Sequence, residues 1–281
     1  MATAEAIFEY AEDRFENNDY ETAIFEFKRF VYFFPGKPQA AQASCRIGIC
    51  YFRLAKYETA LEYFKKTRSA YPDTEFALEA KFRISDCHVR MNAPASAEAA
   101  LLNIIEASED GSVRDRAFYK LAWLCLETGR IGQASTWLDR MSQSGQNIYL
   151  VGELKKDMDR MTTLPHKNPL LAGVFSIVPG GGYLYTNRYQ DATVALLVNS
   201  ALMGAAYESF DNDLEVLGSL ISVVGLGFYA GSMYGAISSA HKFNRAAYND
   251  FIEGLEKDQP DWDFSVVPHN AGVLFSFSCR F

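Results

Sequence analysis

The chain has 281 residues, is 49% apolar and 22% charged, and carries a formal net charge of −8. That length suits one large domain or two ordinary ones, with enough apolar side chains to form a core. The acidic balance argues against a nucleic-acid backbone as partner, because phosphate neutralisation needs clustered Lys and Arg.

The N-terminus has no secretory leader: Met1 runs at once into acidic, helix-forming sequence. Either the N-terminal part stays in the cytosol or a leader was removed. Five cysteines (Cys45, Cys50, Cys87, Cys125, Cys279) are odd in number and show no CxxC spacing. They suit neither a zinc site nor a disulfide scaffold. The first four fall at helical core positions, where Cys acts as a small apolar filler, and this fits a reducing compartment.

The first half repeats. "DYETAIFEFKRFVYFFP" (19–35) returns 37 residues later as "KYETALEYFKKTRSAYP" (56–72), with Ala23 matched to Ala60, Phe27 to Phe64 and Pro35 to Pro72. A step of twelve residues joins Ala11 to Ala23, Gly48 to Ala60 and Ala122 to Ala134. Two antiparallel helices pack closely where such small residues face one another. Large residues such as Tyr51 and Phe64 then fill the groove to the next repeat, and Pro72 stops the second helix. The spacing predicts four helical hairpins over about 4–36, 40–73, 77–108 and 114–145. The third, with "NAPASAEAALLNII", is the most degenerate, and "NIYLVGELKKDMDRM" is expected to cap the stack as one helix.

The stretch "RIGICYFRLAKYETALEYFKKTRSAYP" resembles the tetratricopeptide repeat (TPR). Its "YP" closure and aromatic "CYF" look like TPR proteins of the Gram-negative envelope, including the TPR lipoprotein of the outer-membrane barrel-assembly machine. That resemblance covers about the first 145 residues. It implies a solenoid with a protein-binding surface.

After "TTLPHKNP" the composition changes. Residues 168–187 carry no charge, 192–207 carry none, and 216–240 form an uncharged run of 25 residues. A helix of that last length spans about 37 Å, enough for a hydrocarbon core of about 30 Å. The middle run is short for a span and reaches one only by including Gln190, Asp191 and Glu208 at its ends. The first run is broken by Pro179 and its glycines and suits a re-entrant or interfacial piece, with a short helix over 170–178. Gly227, Gly231, Gly235 and Ser239 recur every four residues and make a smooth strip. Such strips let another helix approach backbone to backbone, within an oligomer or a larger complex. The alternative is a buried hairpin of a soluble domain, which would leave the long helix without the polar face a surface helix normally has.

The stretch "FSIVPGGGYLYTNRY" (175–189) is not a phosphate loop, because no Lys follows its glycines. Nor does a βαβ unit surround it. The remaining reading is a tight turn at a membrane surface, with tyrosines at the interface. Pro179, Gly180, Gly182 and Tyr185 resemble the P-G-x-G-x-x-Y pattern of small bacterial TM2-like membrane domains. The match continues through "NRYQDA" and "FYAGSMYGAISSAHKFNR" and covers about 168–246. Gly181 and Tyr183 depart from the family, in which Gln often follows the second glycine. The resemblance implies architecture and place rather than an activity.

Lys155, Lys156, Arg160 and Lys167 precede this part, Lys242 and Arg245 follow it, and "ESFDNDLE" (208–215) holds four acidic residues. By charge, the repeats and the tail belong in the cytoplasm; by family resemblance, in the periplasm. The sequence leaves the side open. His241 and Lys242 are expected to end the last helix and anchor it at the headgroups. The tail alternates Val273, Phe275, Phe277, Cys279 and Phe281 with Leu274, Ser276, Ser278 and Arg280, a strand pattern that suits a hairpin. It also looks like the terminal signal of outer-membrane barrels, although one hairpin cannot close a barrel.

No base, nucleophile and oxyanion donors assemble in the sequence, and His88, His166, His241 and His269 are scattered. The carboxylates of "DNDLE" lack the glycine a calcium loop needs at its sixth position, where Val216 sits. No cofactor or metal is expected. The expected class is all-α: a TPR solenoid (1–162), a small helical membrane domain (163–250), and a tail with a β-hairpin (251–281). The expected function is a non-enzymatic adaptor in the cell envelope, fixed to the bilayer and binding a protein through its repeats. The alternative is an accessory structural subunit of a large membrane complex.

Overall fold

A computed structural model of the chain describes residues 3–258, 263–269 and 272–278, with side chains described over 3–255. The chain divides into two compact units, Met1–Lys156 and Asp157–Phe281.

The first unit is a row of helical hairpins. They are α1 (Ala4–Glu16) with α2 (Tyr20–Phe33), α3 (Gln39–Arg53) with α4 (Tyr57–Ala70), α5 (Glu75–Arg90) with α6 (Pro94–Ala107), and α7 (Gly111–Glu127) with α8 (Ile131–Asp139). Each helix packs on the next in chain order. The repeat is visible in the backbone as well as in the side chains. Each hairpin turns through one left-handed residue: Asn18 (φ 61°), Ala55 (φ 56°), Asn92 (φ 55°) and Gly129 (φ 76°), spaced 37 residues apart. In each turn the next residue returns its N–H to a carbonyl five residues back, as in Lys56 to Tyr51 and Arg130 to Cys125. This closes the first helix of the pair. Three of the four turns use Asn or Gly, the residues that tolerate this conformation, and Ala55 is the strained one.

The small residues sit where the helices cross. Ala11, Ala23, Ala60, Ala122 and Ala134 are fully buried, as is Phe64. Gly48 is the closest crossing: a Cβ there would stand 2.6 Å from the Phe64 ring. Tyr51 stacks on Tyr63 at 5.3 Å and accepts a hydrogen bond from Lys28 at 2.7 Å. Pro72 is exposed, just past the end of α4. The degenerate third hairpin keeps its geometry because Pro94 stands at the first turn of α6, where no backbone donor is needed.

The cap differs from the single helix expected. It is two helices, α9 (Gln143–Ile148) and α10 (Val151–Met161), broken at Leu150 (φ 50°). The buried carboxylate of Asp115 accepts from the backbone and hydroxyl of Ser142, whose own oxygen caps α9 at Gly145. Tyr149 stacks on Tyr119 at 4.5 Å, which holds the break against the solenoid.

The second unit contains α11 (Pro169–Phe175), α12 (Gly181–Tyr185), α13 (Tyr189–Asp211) and α14 (Glu215–Asp258), followed by strands β1 (Asp263–His269) and β2 (Gly272–Ser278). α13 and α14 form a long hairpin, and α11 and α12 pack against it. The strands pair antiparallel, with Val266 opposite Phe275. The side-chain alternation read for the tail, and its terminal Cys279 and Phe281, lie outside the described residues. α14 corrects one expectation: it does not stop at His241 and Lys242 but runs on for four more turns. No Pro or Gly interrupts residues 241–253, and Ile252 and Leu255 give that extension a buried edge. His241 and Lys242 therefore stand mid-helix, away from the terminal carbonyls of the helix dipole.

Denaturation of the full-length chain tests these crossings. Gly48→Ala is expected to cost the first unit about 1–3 kcal/mol, because the Phe64 ring must give way. Ala55→Gly is expected to stabilise it by up to about 1 kcal/mol by relieving the left-handed turn.

Candidate functional site

Two surfaces stand out, one in each unit. In the first unit several ion pairs join neighbouring hairpins. Glu12 on α1 accepts from Arg46 on α3 at 3.1 Å, Glu79 on α5 pairs with Arg116 on α7 at 2.8 Å, and Asp86 on α5 pairs with Lys120 on α7 at 2.7 Å. Arg46 and Arg116 also lie over the rings of Phe15 and Phe82. Burial opposes the charge on Glu79, yet Arg116 and Arg83 outweigh it and hold the carboxyl at about 2. For Glu12, burial wins over Arg46 and raises the carboxyl above its ordinary value. These ladders join neighbouring hairpins.

A groove of about 540 Å³ over α4, α5 and α6 is different. Lys65 and Arg68 come from α4, Lys81 and His88 from α5, and Asn103 from α6, over a floor that includes Ile84 and Ile104. Among the described residues, no carboxylate pairs with Lys65, Arg68 or Lys81. Burial and the neighbouring Lys65 push the His88 imidazole below its ordinary value, so it is neutral at pH 7. Three cations and one imidazole thus stand over an apolar floor. Sequence reasoning missed this arrangement because the cations belong to two helices. Lys65 and Arg68 are one turn apart, and so are Lys81 and Ile84, but only the stacked hairpin faces the two sets together.

In the second unit the motif glycines are packing points. Gly180 is left-handed (φ 82°), and a side chain there would strike the carbonyl of Ala192. One at Gly182 would strike the Ser176 hydroxyl, the Ala172 carbonyl and Ala236. Pro179 precedes these glycines in the turn between α11 and α12. The tyrosines are tied to the unit's own backbone and helices. The Tyr185 hydroxyl accepts from the Asn168 backbone at 2.9 Å, and the Tyr183 hydroxyl covers Gly235. Asn244 clamps Lys167 with two bonds, at 2.7 and 2.9 Å. Arg188 pairs with Asp191 and donates to Ser239 at 3.2 Å.

The strip read on α14 thus divides in two. Gly235 and Ser239 are covered by Tyr183 and Arg188. Gly227 and Gly231 have nothing within 4 Å of where a side chain would begin. They line a groove of about 530 Å³ between α13 and α14, with Val194, Val198, Phe228 and Asn199.

The two units distribute apolar side chains in opposite ways. Among the described residues, the twelve largest fully buried side chains, from Phe27 to Leu154, all belong to the first unit. The second buries mostly small or polar residues, among them Ala172, Ser176, Thr186, Asn199, Ser209 and Ser239. Of the 29 large apolar side chains exposed among the described residues, 23 lie in that second, smaller unit. Among the described residues, Glu215–Leu255 is the one helix long and apolar enough to cross a membrane, and 6% of its most apolar stretch is buried. α13 has an uncharged part of 16 residues, about 24 Å long.

Comparison with known proteins addresses the repeats. A family model described as "Tetratricopeptide repeat" matches residues 42–74, the second hairpin. The first unit is a row of helical hairpins, one of which carries that match. No curated protein matches the sequence. Solved structures with similar helical packing include MamA 41-end from Desulfovibrio magneticus RS-1, at 14% identity, over 50% of this chain and 73% of that one, with a TM-score of 0.40. A TPR protein from Parabacteroides merdae ATCC 43184 is similar at 15% identity, over 89% and 97%, with a TM-score of 0.43. A Rap protein complexed with Competence and Sporulation Factor is similar at 13% identity, over 83% and 65%, with a TM-score of 0.42. These superpositions are loose. The likeness to the tetratricopeptide repeat rests on the matched segment, and the 37-residue recurrence of turns carries the same hairpin geometry through the other three.

Gly182→Ala is expected to disrupt the second unit by about 3 kcal/mol or more, since its neighbours include a backbone carbonyl that cannot retreat. Gly204→Ala, in open space, is the control. The yield of folded full-length chain by size exclusion separates the two.

Proposed function

We propose that this chain is a non-enzymatic scaffold whose second unit is seated in a lipid bilayer and whose TPR unit holds a protein partner. One observation carries the seating: large apolar side chains cover the outside of the second unit, while small and polar ones fill its inside. In water such an exterior is very costly. In a bilayer it is the ordinary arrangement, because helices associate there through small residues and hydrogen bonds rather than by hiding leucines. The setting proposed is the bacterial cell envelope, supported by the resemblance of the repeats and of "PGGGYLY" to envelope proteins. Within it, assembly of a protein complex is the role that fits a solenoid held at a membrane.

The partner segment that fits the groove of the TPR unit is acidic and extended. Lys65, Arg68 and Lys81 supply charge, Asn103 supplies hydrogen bonds, and Ile84 and Ile104 take apolar side chains.

Carbonate extraction of cell membranes tests the seating. The chain is expected to stay with the membrane pellet; release into the soluble fraction would remove the membrane reading. A labelled octapeptide alternating Glu and Leu tests the groove by fluorescence anisotropy. Lys65→Glu with Arg68→Glu is expected to weaken it about tenfold at low salt. The pH dependence has a definite sign. A bound carboxylate favours the charged imidazole, so His88 binds protons more tightly in the complex than in the free chain. Affinity should therefore rise as pH falls from 7, and level off once the free-chain imidazole also takes up its proton. A flat profile, or equal binding of a Lys–Leu peptide, would sink the acidic-segment reading.

A further inference from the structure

The 37-residue spacing of the hairpins places three residues in equivalent positions from one pair to the next, and one of these sets lacks a ring. Lys28 on α2, Tyr51 on α3 and Tyr63 on α4 form the first set. The Lys28 ammonium lies 5.1 Å from the centre of the Tyr51 ring and 5.2 Å from that of Tyr63. The two rings stack at 5.3 Å. One spacing later the set is Lys65 on α4, His88 on α5 and Ala100 on α6, and after another it is Leu102, Cys125 and Trp137. Trp137 again fills its place with a ring, which stacks on Phe118 at 5.9 Å. The middle set keeps the cation and a flat ring at His88. At Ala100, however, a methyl group stands where its counterparts Tyr63 and Trp137 carry a phenol and an indole. Lys65, His88 and Ala100 all line the groove of about 540 Å³ over α4, α5 and α6. The groove is open at the point where the neighbouring sets are filled from within.

We infer that this groove takes an aromatic side chain from the partner, seated on Ala100 between His88 and Lys65, in the place that Tyr63 occupies one hairpin earlier. The inference deepens the acidic-segment reading proposed above and rests on it: the bound segment is acidic and also carries Tyr, Trp or Phe. The chemistry is the one the first set displays. The face of a ring attracts an ammonium group, and ring against ring stacking adds to the area buried. Burial, and after it the Lys65 ammonium, push the His88 imidazole below its ordinary value, so this cation and this ring are neighbours as Lys28 and Tyr51 are. A leucine from the partner would bring apolar area but neither attraction. A ring is also rigid, so little side-chain freedom is lost when it is anchored. Arg68 and Lys81 remain for the carboxylates that flank it.

Fluorescence anisotropy with the full-length chain tests the anchor. Two labelled octapeptides are compared at one salt concentration: the alternating Glu–Leu peptide, and the same peptide with one central Leu replaced by Tyr. The Tyr peptide is expected to bind about 3- to 10-fold more tightly, the range for one stacked ring beside a cation. Ala100→Tyr supplies the ring from within, as Tyr63 does one hairpin earlier, and should abolish this preference. Lys65→Met keeps the apolar stem and removes the ammonium. It weakens both peptides through lost charge, but the ratio of their affinities should also fall towards one. Thermal denaturation shows whether Ala100→Tyr is folded; if it is not, Lys65→Met decides. Equal binding of the two peptides by the unaltered chain overturns the anchor and leaves the acidic-segment reading standing. A Tyr preference that survives Lys65→Met and a folded Ala100→Tyr also overturns it, because the ring then binds elsewhere. Binding of neither peptide overturns the anchor and the acidic-segment reading together.

Discussion

Helices can approach backbone to backbone only where neither surface carries a side chain of any size, and both units of this chain are built around such crossings. In the first unit Gly48, Ala60, Ala122 and Ala134 mark them. In the second unit Gly180, Gly182, Gly235 and Ala236 do. What surrounds the crossings differs. Around Gly48 the space is filled by aromatic rings, with Phe64 buried and Tyr51 stacked on Tyr63. Around Gly182 it is filled by Ser176, Thr186 and backbone carbonyls. The first solution draws on the exclusion of aromatic surface from water. The second draws on close backbone approach and on hydrogen bonds from small buried side chains to carbonyls.

The distribution of charge follows the same division. On α1, α3, α5 and α7, acids and bases meet across repeats, and Arg46 and Arg116 cover aromatic rings as well. Glu79 shows how strongly those pairs are held, since its carboxyl stays ionised although its side chain is largely covered. Over α4, α5 and α6 no described carboxylate pairs with Lys65, Arg68 or Lys81. The ion pairs between hairpins keep the repeats in register, and this surface keeps an unmatched positive charge.

Much of the solenoid was legible because its cause is local and repeated. The twelve-residue step, the aromatic fillers and the helix-stopping residues recur, and each recurrence confirms the others. The 37-residue spacing of left-handed turns at Asn18, Ala55, Asn92 and Gly129 extends that legibility to the degenerate third hairpin. The break at Leu150 was not legible, because it depends on Asp115 holding Ser142 from 27 residues away. Nor was the continuation of α14, since the basic pair His241–Lys242 looks like a helix end only when no buried edge follows it. The four-residue strip on α14 was read as one feature; tertiary packing assigns Gly235 and Ser239 to the unit's own interior and leaves Gly227 and Gly231 open.

By itself the sequence determined the periodic elements: where hairpins repeat, where charge disappears, and which positions are too small to keep helices apart. These follow from local sterics and from the partition of side chains between water and apolar surroundings, both of which act residue by residue. Only the tertiary structure decided which faces remain for others. The cations of α4 and α5 converge, Glu12, Glu79 and Asp86 are spent on neighbouring hairpins, and Asn199 keeps an acceptor that no neighbour fills. Those outcomes depend on which side chains meet across helices far apart in the chain, and pairing of that kind leaves no mark in local spacing.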